Sequence, residues 1–317
     1  MWNRHQGRDM KKVVLLAALG AVLLAASATA GVKALGGTIT ADGSSTVGPY
    51  TIAAAEGFQK KNRGVRVTVG ISGTGGGFER FCRDEIDLAN ASRPMKNSEA
   101  IKCRDAGVKW VAFTVANDGL SVVVNKSNTW ADCLTTAELK ATWNTGSKVK
   151  SWKDIRGSFP DVPLKLFGPG TDSGTFDFFT EVINGKAKAS RSDYLATEDD
   201  NIIVQGVTGE RGGMGYFGYS YYEENAANLK VVKIDNGKGC ITPSIQSVQG
   251  GTYKPLARPL FVYAKRPSFK RAEVASFIGY IFNNEKAIAK KAGFIALTDR
   301  QLKKARYQFK VALKQNG

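Results

Sequence analysis

The chain has 317 residues and a formal net charge of +17, with 45 Lys and Arg against 28 Asp and Glu. This length suffices for two modest domains with a packed core. The single histidine, His5, lies near the amino terminus, so the rest of the chain excludes a Ser-His-Asp triad, histidine general-base catalysis and most zinc-hydrolase sites.

The first thirty residues have the pattern of a cleavable signal peptide. Four basic residues precede an apolar stretch from Val13 to Ala28, and Ala28-Thr29-Ala30 fits the small-residue rule for cleavage. The alternative is an uncleaved anchor, but the apolar stretch is short and rich in alanine, and no cysteine near the cleavage site could carry a lipid. We expect a soluble exported protein that begins near Gly31. Loss of four basic residues and Asp9 leaves it a net charge of +14.

Segments typical of strands and of helices alternate along the rest of the chain. The predicted strands are Thr38–Ala41, Val65–Ile71, Ile86–Ala89, Val108–Val115, Leu120–Val124, Leu164–Phe167, Leu229–Ile234 and Pro259–Ala264. The segment Gly213–Gly218, rich in glycine and aromatic residues, is predicted as a strand or a turn. The predicted helices are Val47–Lys61, a segment around Phe78–Cys82, Thr136–Trp143, Gly174–Ile183, Asp199–Val207, Arg271–Asn283, Glu285–Ala292 and Asp299–Lys314. Asn117-Asp118-Gly119 favours a turn, so we expect it to separate two strands. The alternation predicts an α/β architecture with mainly parallel strand pairing.

Three clusters of Gly, Ser and Thr each follow a predicted strand and precede a predicted helix. They are Gly43-Ser44-Ser45-Thr46, Ser72-Gly73-Thr74-Gly75-Gly76-Gly77 and Thr171-Asp172-Ser173-Gly174-Thr175. A helix N-terminus has unpaired N–H groups and a partial positive charge, hydroxyls add donors, and glycine lets the backbone approach a ligand. Each turn by itself could be a simple helix cap. Together the turns predict a site that surrounds an oxyanion with neutral donors.

The cysteines and the basic residues bear on cofactors and partners. An even number of cysteines in an exported protein predicts two disulfides, and three pairings are possible. We favour Cys82–Cys103, which closes a local loop, and Cys133–Cys240, which joins distant segments. A zinc site lacks Cys-x-x-Cys spacing and a nearby histidine, so we expect neither metal nor cofactor. The basic blocks at 286–291 and 303–306 accompany no nucleic-acid motif, so we interpret them as a solvated surface that attracts anions.

Several segments occur in the order typical of a known family. They are the first turn, Ser72–Phe78, Ile86–Pro94, Gly168–Phe176, Gly213–Phe217 and the strand around Pro259–Tyr263. Over roughly residues 36 to 315, the chain resembles the periplasmic phosphate-binding protein of the phosphate ABC importer, the Pst system, a substrate-binding protein family.

The resemblance implies a type II-like periplasmic-binding-protein fold, in which two α/β lobes are joined by two crossing strands near Ala116–Leu120 and Lys254–Leu260. Lobe 1 would comprise residues 31–116 and 260–317, and lobe 2 residues 117–259. The implied function is that of a periplasmic or otherwise extracytoplasmic monomer, not an enzyme, that binds inorganic phosphate between the lobes and delivers it to the transmembrane permease subunits of an ABC importer. The alternatives are another oxyanion (sulfate, molybdate, tungstate or arsenate), a phosphoester hydrolase, and a surface adhesion or signalling protein.

The resemblance also implies the phosphate-binding residues. Carried over by position, the donors are Ser45, Thr46, Ser72 or Thr74, Ser173, Gly174 and Thr175. Where this chain has Ser92, many members have an aspartate, which accepts the phosphate proton and so rejects sulfate. Many members also have an arginine at the position near Pro169, and this chain lacks both residues. Here Arg93 follows Ser92 and would bind the anion in a bidentate way. Candidates for the proton acceptor are Ser92, Asp118 and Asp172.

Overall fold

The structure is a computed structural model that describes residues 34–171, 173–197 and 199–315, so the predicted signal peptide lies outside the described residues. Strands and helices alternate along this part of the chain. The strands are β1 Gly36–Gly43, β2 Gly64–Val69, β3 Leu88–Ala91, β4 Trp110–Asn125, β5 Cys133–Thr135, β6 Lys165–Pro169, β7 Leu195–Thr197, β8 Gly213–Gly218, β9 Leu229–Val231, β10 Lys233–Asp235, β11 Cys240–Ile241 and β12 Ala257–Lys265. The α-helices are α1 Gly48–Lys61, α2 Gly73–Cys82, α3 Asn97–Asp105, α4 Thr136–Trp143, α5 Trp152–Ile155, α6 Gly174–Phe179, α7 Asp200–Gly209, α8 Tyr219–Asn225, α9 Ile245–Gln249, α10 Ala272–Asn283, α11 Glu285–Lys291 and α12 Asp299–Lys314. The predicted α/β class is confirmed.

Most strands belong to one large mixed sheet. Its order is β2-β1-β3-β12-β4-β8-β6-β7, with β9 paired to β4. The outer strands pair in parallel, β1 with β2 and β3, and β6 with β7 and β8. The central strands β12 and β4 run antiparallel to each other and to their other neighbours in the sheet. The prediction of mainly parallel pairing is therefore wrong at the centre, where the chain passes from one half of the sheet to the other and returns.

The long strand β4 corrects the predicted turn at Asn117-Asp118-Gly119. These three residues lie within β4, in register with Ala257–Pro259 of β12. The Asn117 amide donates to the Ala296 carbonyl at 3.1 Å and to Gln301 Oε1 at 3.2 Å, so its side chain serves tertiary contacts. Pairing along the whole length of β12 outweighs the local preference for a turn.

Two further predicted elements are divided in the structure. The predicted helix Gly174–Ile183 is α-helical to Phe179 and continues as a π-helical turn, Thr180–Asn184. The predicted strand Leu229–Ile234 becomes β9, on the large sheet, and β10, which joins β5 and β11 in a separate three-stranded sheet. Short segments of this kind carry too few residues to show where the chain changes partner.

The apolar core consists of separate clusters in the two halves of the large sheet. One contains Trp143, Trp152 and Tyr216, all fully buried, and another contains Phe78 and Phe81. Cys82–Cys103 belongs to the second cluster, and Cys133–Cys240 joins β5 to β11. Both favoured disulfide pairings are therefore confirmed.

Candidate anion-binding site

The three Gly/Ser/Thr turns lie at carboxyl ends of strands. The first follows β1, the second follows β2 and the third follows β6, and they lead into α1, α2 and α6. Ser92 and Arg93 follow β3, which pairs with β1. Because β2, β1 and β3 are adjacent, the first two turns and Ser92-Arg93 meet at one edge of the sheet.

A buried carboxylate that the sequence analysis missed, Asp42, connects the first two turns. Its Oδ1 accepts hydrogen bonds from the N–H groups of Gly43 at 2.6 Å and Ser72 at 3.0 Å, and its other oxygen pairs with Arg80. Gly43 has φ of 133°, and a Cβ there would lie 2.2 Å from the Asn90 carbonyl oxygen. Only glycine therefore allows the first turn to pass so close to β3.

A cavity of about 220 Å³ lies where the first two turns meet α6. Five predicted ligand residues line it, and the whole lining is Ser44, Ser45, Thr46, Gly73, Thr74, Gly75, Ser92, Arg93, Lys96, Asp177, Phe178, Glu181, Ala187 and Arg258. The Thr74 and Ser92 hydroxyl oxygens are 3.1 Å apart, and the Ser92 N–H donates to Thr74 Oγ1 at 3.2 Å. Thr74 lines the cavity, whereas Ser72 does not.

A second cavity, of about 770 Å³, shares Ser45 and Thr46 with the first. The predicted residues that line it are Ser45, Thr46, Asp118, Ser173, Gly174 and Thr175. Thr46 Oγ1 donates to the Gly174 carbonyl at 3.2 Å, and a Cβ on Gly174 would lie 2.6 Å from Thr46 Cα. The predicted residues thus divide between two cavities, next to a close contact of the first and third turns. Asp172 lies outside the described residues.

Arg258, on β12, is a buried cation that the sequence analysis missed. Its Nε lies 3.3 Å from Asp118 Oδ2, its Nη2 donates to Thr46 Oγ1 at 2.9 Å, and its Cζ is 3.5 Å from the centre of the Phe178 ring. Burial lowers the pKa of Arg258 and raises the pKa of Asp118, and each is opposed by the charge of the other residue. Arg258 lines the 220 Å³ cavity. A guanidinium stays protonated in proteins, so that cavity contains a fixed positive charge. The feature of the sequence that could have identified Arg258 as a cavity residue is its position at the start of an apolar strand.

Arg93 also lines the cavity, but its terminal nitrogens face a carboxylate of its own chain. Nη1 and Nη2 each donate to one Glu99 oxygen at 2.8 Å, and this hydrogen bonding raises the pKa of Arg93. The bidentate geometry expected for an anion is therefore occupied by Glu99 in this structure.

Asp177, on α6, adds a carboxylate to the cavity and was not among the predicted residues. Its Oδ2 accepts from Ser45 Oγ at 3.4 Å, and its Oδ1 is buried without a hydrogen-bond partner in the described part of the chain. Burial raises the pKa of Asp177, and the charge of Lys188 opposes this effect. A partly desolvated carboxylate with an unused oxygen is well suited to accept a proton from a ligand.

None of the helices in residues 34–171, 173–197 and 199–315 is long and apolar enough to cross a membrane. In the same ranges, no group of three or more His, Cys, Asp or Glu residues is placed to hold a metal ion.

Comparisons with known proteins agree with one another. A sequence model of the PBP superfamily domain matches residues 28–285. Protein SphX of Synechococcus elongatus is 48% identical over 86% of this chain and 81% of the relative. The phosphate-binding protein PstS of Staphylococcus saprophyticus is 40% identical over 82% of this chain and 81% of its own. The crystal structure of a possible phosphate binding protein from Planctomyces limnophilus has a TM-score of 0.85 at 48% identity, covering 88% of this chain and 99% of that one.

Proposed function

The chain belongs to the PBP superfamily and to the phosphate-binding proteins within it, and from this membership we propose that it captures inorganic phosphate for an ABC importer. One structural observation carries the proposal. In the 220 Å³ cavity, the hydroxyls of the first two turns converge with the buried guanidinium of Arg258. By the ~30 Å³ that a water molecule occupies in the liquid, this space equals about seven waters, which is ample for an ion of five non-hydrogen atoms.

The donors around this cavity suffice for micromolar affinity. The first N–H groups of α2 have no partner inside their own helix, and Ser45, Thr46, Thr74 and Ser92 add hydroxyls. A hydrogen bond to a charged group contributes about 1.5–3 kcal/mol, and a micromolar dissociation constant corresponds to about 8 kcal/mol. At the middle of this range, five or six such bonds contribute about 11–14 kcal/mol, which leaves a margin for desolvating the ion and ordering the site.

We infer that the third turn joins the same ligand shell. Ser173, Gly174 and Thr175 begin α6, and the Thr46–Gly174 contact lies between the first and third turns. A phosphate ion bound beside this contact would accept hydrogen bonds from the first turn and from the N-terminus of α6 together. Ser72 would support the site through its N–H bond to Asp42.

Asp177 is the proton acceptor that we propose for the bound ligand. Asp118 is already paired with Arg258, whereas Asp177 lines the cavity and its buried Oδ1 has no hydrogen-bond partner among the described residues. Phosphate carries a proton at neutral pH and sulfate does not, so a carboxylate here attracts the first ion and repels the second. This arrangement would replace the aspartate that many members have at the position of Ser92.

The two halves of the sheet suggest how binding would be coupled to delivery. We propose that residues 31–116 and 260–317 form lobe 1 and residues 117–259 form lobe 2, and that the lobes hinge where β4 and β12 cross. A closed, liganded monomer would present both lobes to the transmembrane permease subunits. Export by the predicted signal peptide would place the protein in the periplasm or otherwise outside the cytoplasm.

Titration calorimetry with exported protein stripped of phosphate tests this function. We expect a dissociation constant for phosphate at or below the micromolar range, and binding of sulfate at least about a hundredfold weaker. Asp177→Asn should reduce the discrimination against sulfate at least tenfold, because a neutral amide no longer repels a fully ionised anion. Asp161→Asn, on the exposed surface, is the matched control and should leave both affinities unchanged.

The outcomes separate the two parts of the proposal. Folded, stripped protein that gives no heat with phosphate would refute the function. Tight phosphate binding with discrimination unchanged in Asp177→Asn would refute only the role of Asp177.

A further inference from the structure

The positive charge of the protein is concentrated at the end of the chain. Residues 266–317 contain twelve Lys and Arg against three Asp and Glu, a net charge of +9 in 52 residues. The exported part as a whole carries +14, so most of the excess lies in this segment. The proposed binding cavity does not account for this excess, because the arginines that line the cavity, Arg93 and Arg258, are not part of residues 266–317.

Helix α12 displays much of this charge on one face. Ala305 and Ala312 are buried on the opposite face, so the helix is fixed against the core. At 3.6 residues per turn, six exposed residues fall within an arc of about 120°. They are Arg300, Lys303, Lys304, Tyr307, Lys310 and Lys314. The Tyr307 ring lies near the middle of this arc and is 68% exposed. We call these six residues the cationic face.

The five cations of this face are exposed in the part of the chain that the structure describes. Among the described residues, no ion pair or hydrogen bond joins Arg300, Lys303, Lys304, Lys310 or Lys314 to a carboxylate. Asp299, at the start of the helix, lies 3.9 Å from Lys286 of α11. Five like charges on one helix repel one another, so an anionic partner would stabilise this arrangement.

We propose that the cationic face of α12 docks the protein on an anionic lipid bilayer. At 1.5 Å per residue, the 16-residue helix provides a straight contact about 24 Å long, which matches a flat surface of headgroups better than a flexible chain. Groups of four to eight Lys and Arg on a helix are typical of anionic-lipid binding, and a tyrosine ring suits the boundary between headgroups and water. Because the apolar side of α12 is buried in the core, the contact is electrostatic and peripheral, without insertion of the helix.

Co-sedimentation with lipid vesicles tests the proposal on the exported protein. The vesicles are phosphatidylglycerol mixed with phosphatidylcholine, or phosphatidylcholine alone. We expect binding only to the anionic vesicles at low salt, weakened by higher salt. K303E/K304E/K310E should lower the partition coefficient at least tenfold. K148E/K153E/K238E makes the same change in net charge at exposed lysines outside α12, and should change the coefficient less than twofold.

Further measurements separate docking through α12 from a general attraction to negative charge. Circular dichroism and phosphate titration check that both triple variants fold and bind. Tyr307→Ser should weaken vesicle binding a few-fold and leave binding to soluble dextran sulfate unchanged. Three results would overturn the proposal: no binding to anionic vesicles, equal losses in the two triple variants, or tight binding to dextran sulfate without binding to vesicles, which would indicate an anionic polymer as the partner.

Discussion

Arg258 and Asp118 lie opposite each other on the two central strands, and their ion pair is almost completely buried. The pair also contacts both sides of the cavity, because Arg258 donates to Thr46 in the first turn and covers the Phe178 ring on α6. A buried ion pair is weak evidence for stability, since desolvation opposes the attraction between the charges. Its position under the cavity fits a need for a fixed positive charge that an anion can use.

If the charge of Arg258 serves phosphate binding, two variants should affect the free energy of unfolding and the phosphate affinity differently. Arg258→Gln leaves Asp118 buried without its partner, so we expect a loss of about 3–5 kcal/mol in the free energy of unfolding. Arg258→Gln with Asp118→Asn removes both charges and should recover most of that loss. Phosphate affinity should stay at least tenfold reduced in both variants. Urea unfolding and calorimetry measure the two quantities, and wild-type affinity in the double variant would contradict the role of Arg258.

Asp177 gives a prediction about pH. Burial raises its pKa in the folded protein, so the folded state holds this proton more tightly than the unfolded chain does. Ionised Asp177 therefore destabilises the folded state above its raised pKa, and the effect vanishes as the pH falls towards the ordinary aspartate value of about 3.9. Asp177→Asn should raise the melting temperature of ligand-free protein by about 1–3 °C at pH 8, and by less at pH 4.5. An equal gain at both pH values, or the same profile in Asp161→Asn, would contradict this role of burial.

The residues that the sequence predicts for the candidate site are those whose chemistry is local, and the sequence analysis missed cavity residues whose position depends on strand pairing. Ser45, Thr46 and Thr74 belong to turns that can be recognised from neighbouring residues alone. Arg258 is brought beside Asp118, 140 residues away, only by the register of β12 on β4. Similarly, the role of Asp42 depends on β1 and β2 being adjacent, which the order of residues does not reveal.

At the scale of elements, the site depends on how closely α2 approaches the end of β1. A Cβ on Gly77 would lie 2.5 Å from Gly43 Cα and 3.0 Å from the Asp42 carbonyl oxygen, so the obstacle is backbone. A Cβ on the preceding residue, Gly76, would meet only the side chain of Ser72, at 2.9 Å from its Oγ and 3.0 Å from its Cβ. The glycines of the second turn thus have different roles, although the sequence presents them as one run.

The two glycines form a matched pair of variants. Gly77→Ala should displace α2 from β1, lower the free energy of unfolding by about 1–3 kcal/mol and weaken phosphate binding, because overpacking a close contact moves backbone. Gly76→Ala should change the free energy of unfolding by less than about 1 kcal/mol, because alanine favours a helix interior whereas the Ser72 side chain must shift to admit the methyl group. Thermal unfolding and titration calorimetry of both variants test this. Equal effects of the two substitutions would show that the close approach of α2 to β1 does not determine stability or phosphate binding.

The elements show where sequence patterns stop being informative. The long helices and the strands β1, β2, β6 and β8 follow from periodicity and turn residues within each segment. The turn expected at Asn117-Asp118-Gly119 is replaced by a continuous strand, because β12 and the side-chain contacts of Asn117 compete with the local preference. These tertiary contacts exist only in the complete fold, so the local sequence does not reveal them.

At the scale of the whole molecule, the two halves of the sheet meet in a few contacts beside the central strands. Ser45 bonds to Asp177 and Thr46 bonds to Gly174, so the start of α1 contacts the start of α6. The mixed α/β class could be predicted from the alternation of segments. The closeness of this contact could not, because it depends on the relative position of two groups of elements.

This contact provides a test of lobe closure. A methyl group on Gly174 would lie 2.6 Å from the backbone nitrogen and Cα of Thr46, so Gly174→Ala should hold the proposed lobes apart. Gly218→Ala is the control, because Gly218 lines the larger cavity but a Cβ there would be 3.9 Å from its nearest neighbour, the Gly293 carbonyl oxygen. We expect Gly174→Ala to weaken phosphate binding at least tenfold and to keep a larger radius of gyration in saturating phosphate, measured by small-angle X-ray scattering. Because separation of the proposed lobes relieves the clash without unpacking the core of either one, urea unfolding without phosphate should change little. A closed radius with normal affinity in Gly174→Ala would show that phosphate is bound without closure of the two lobes.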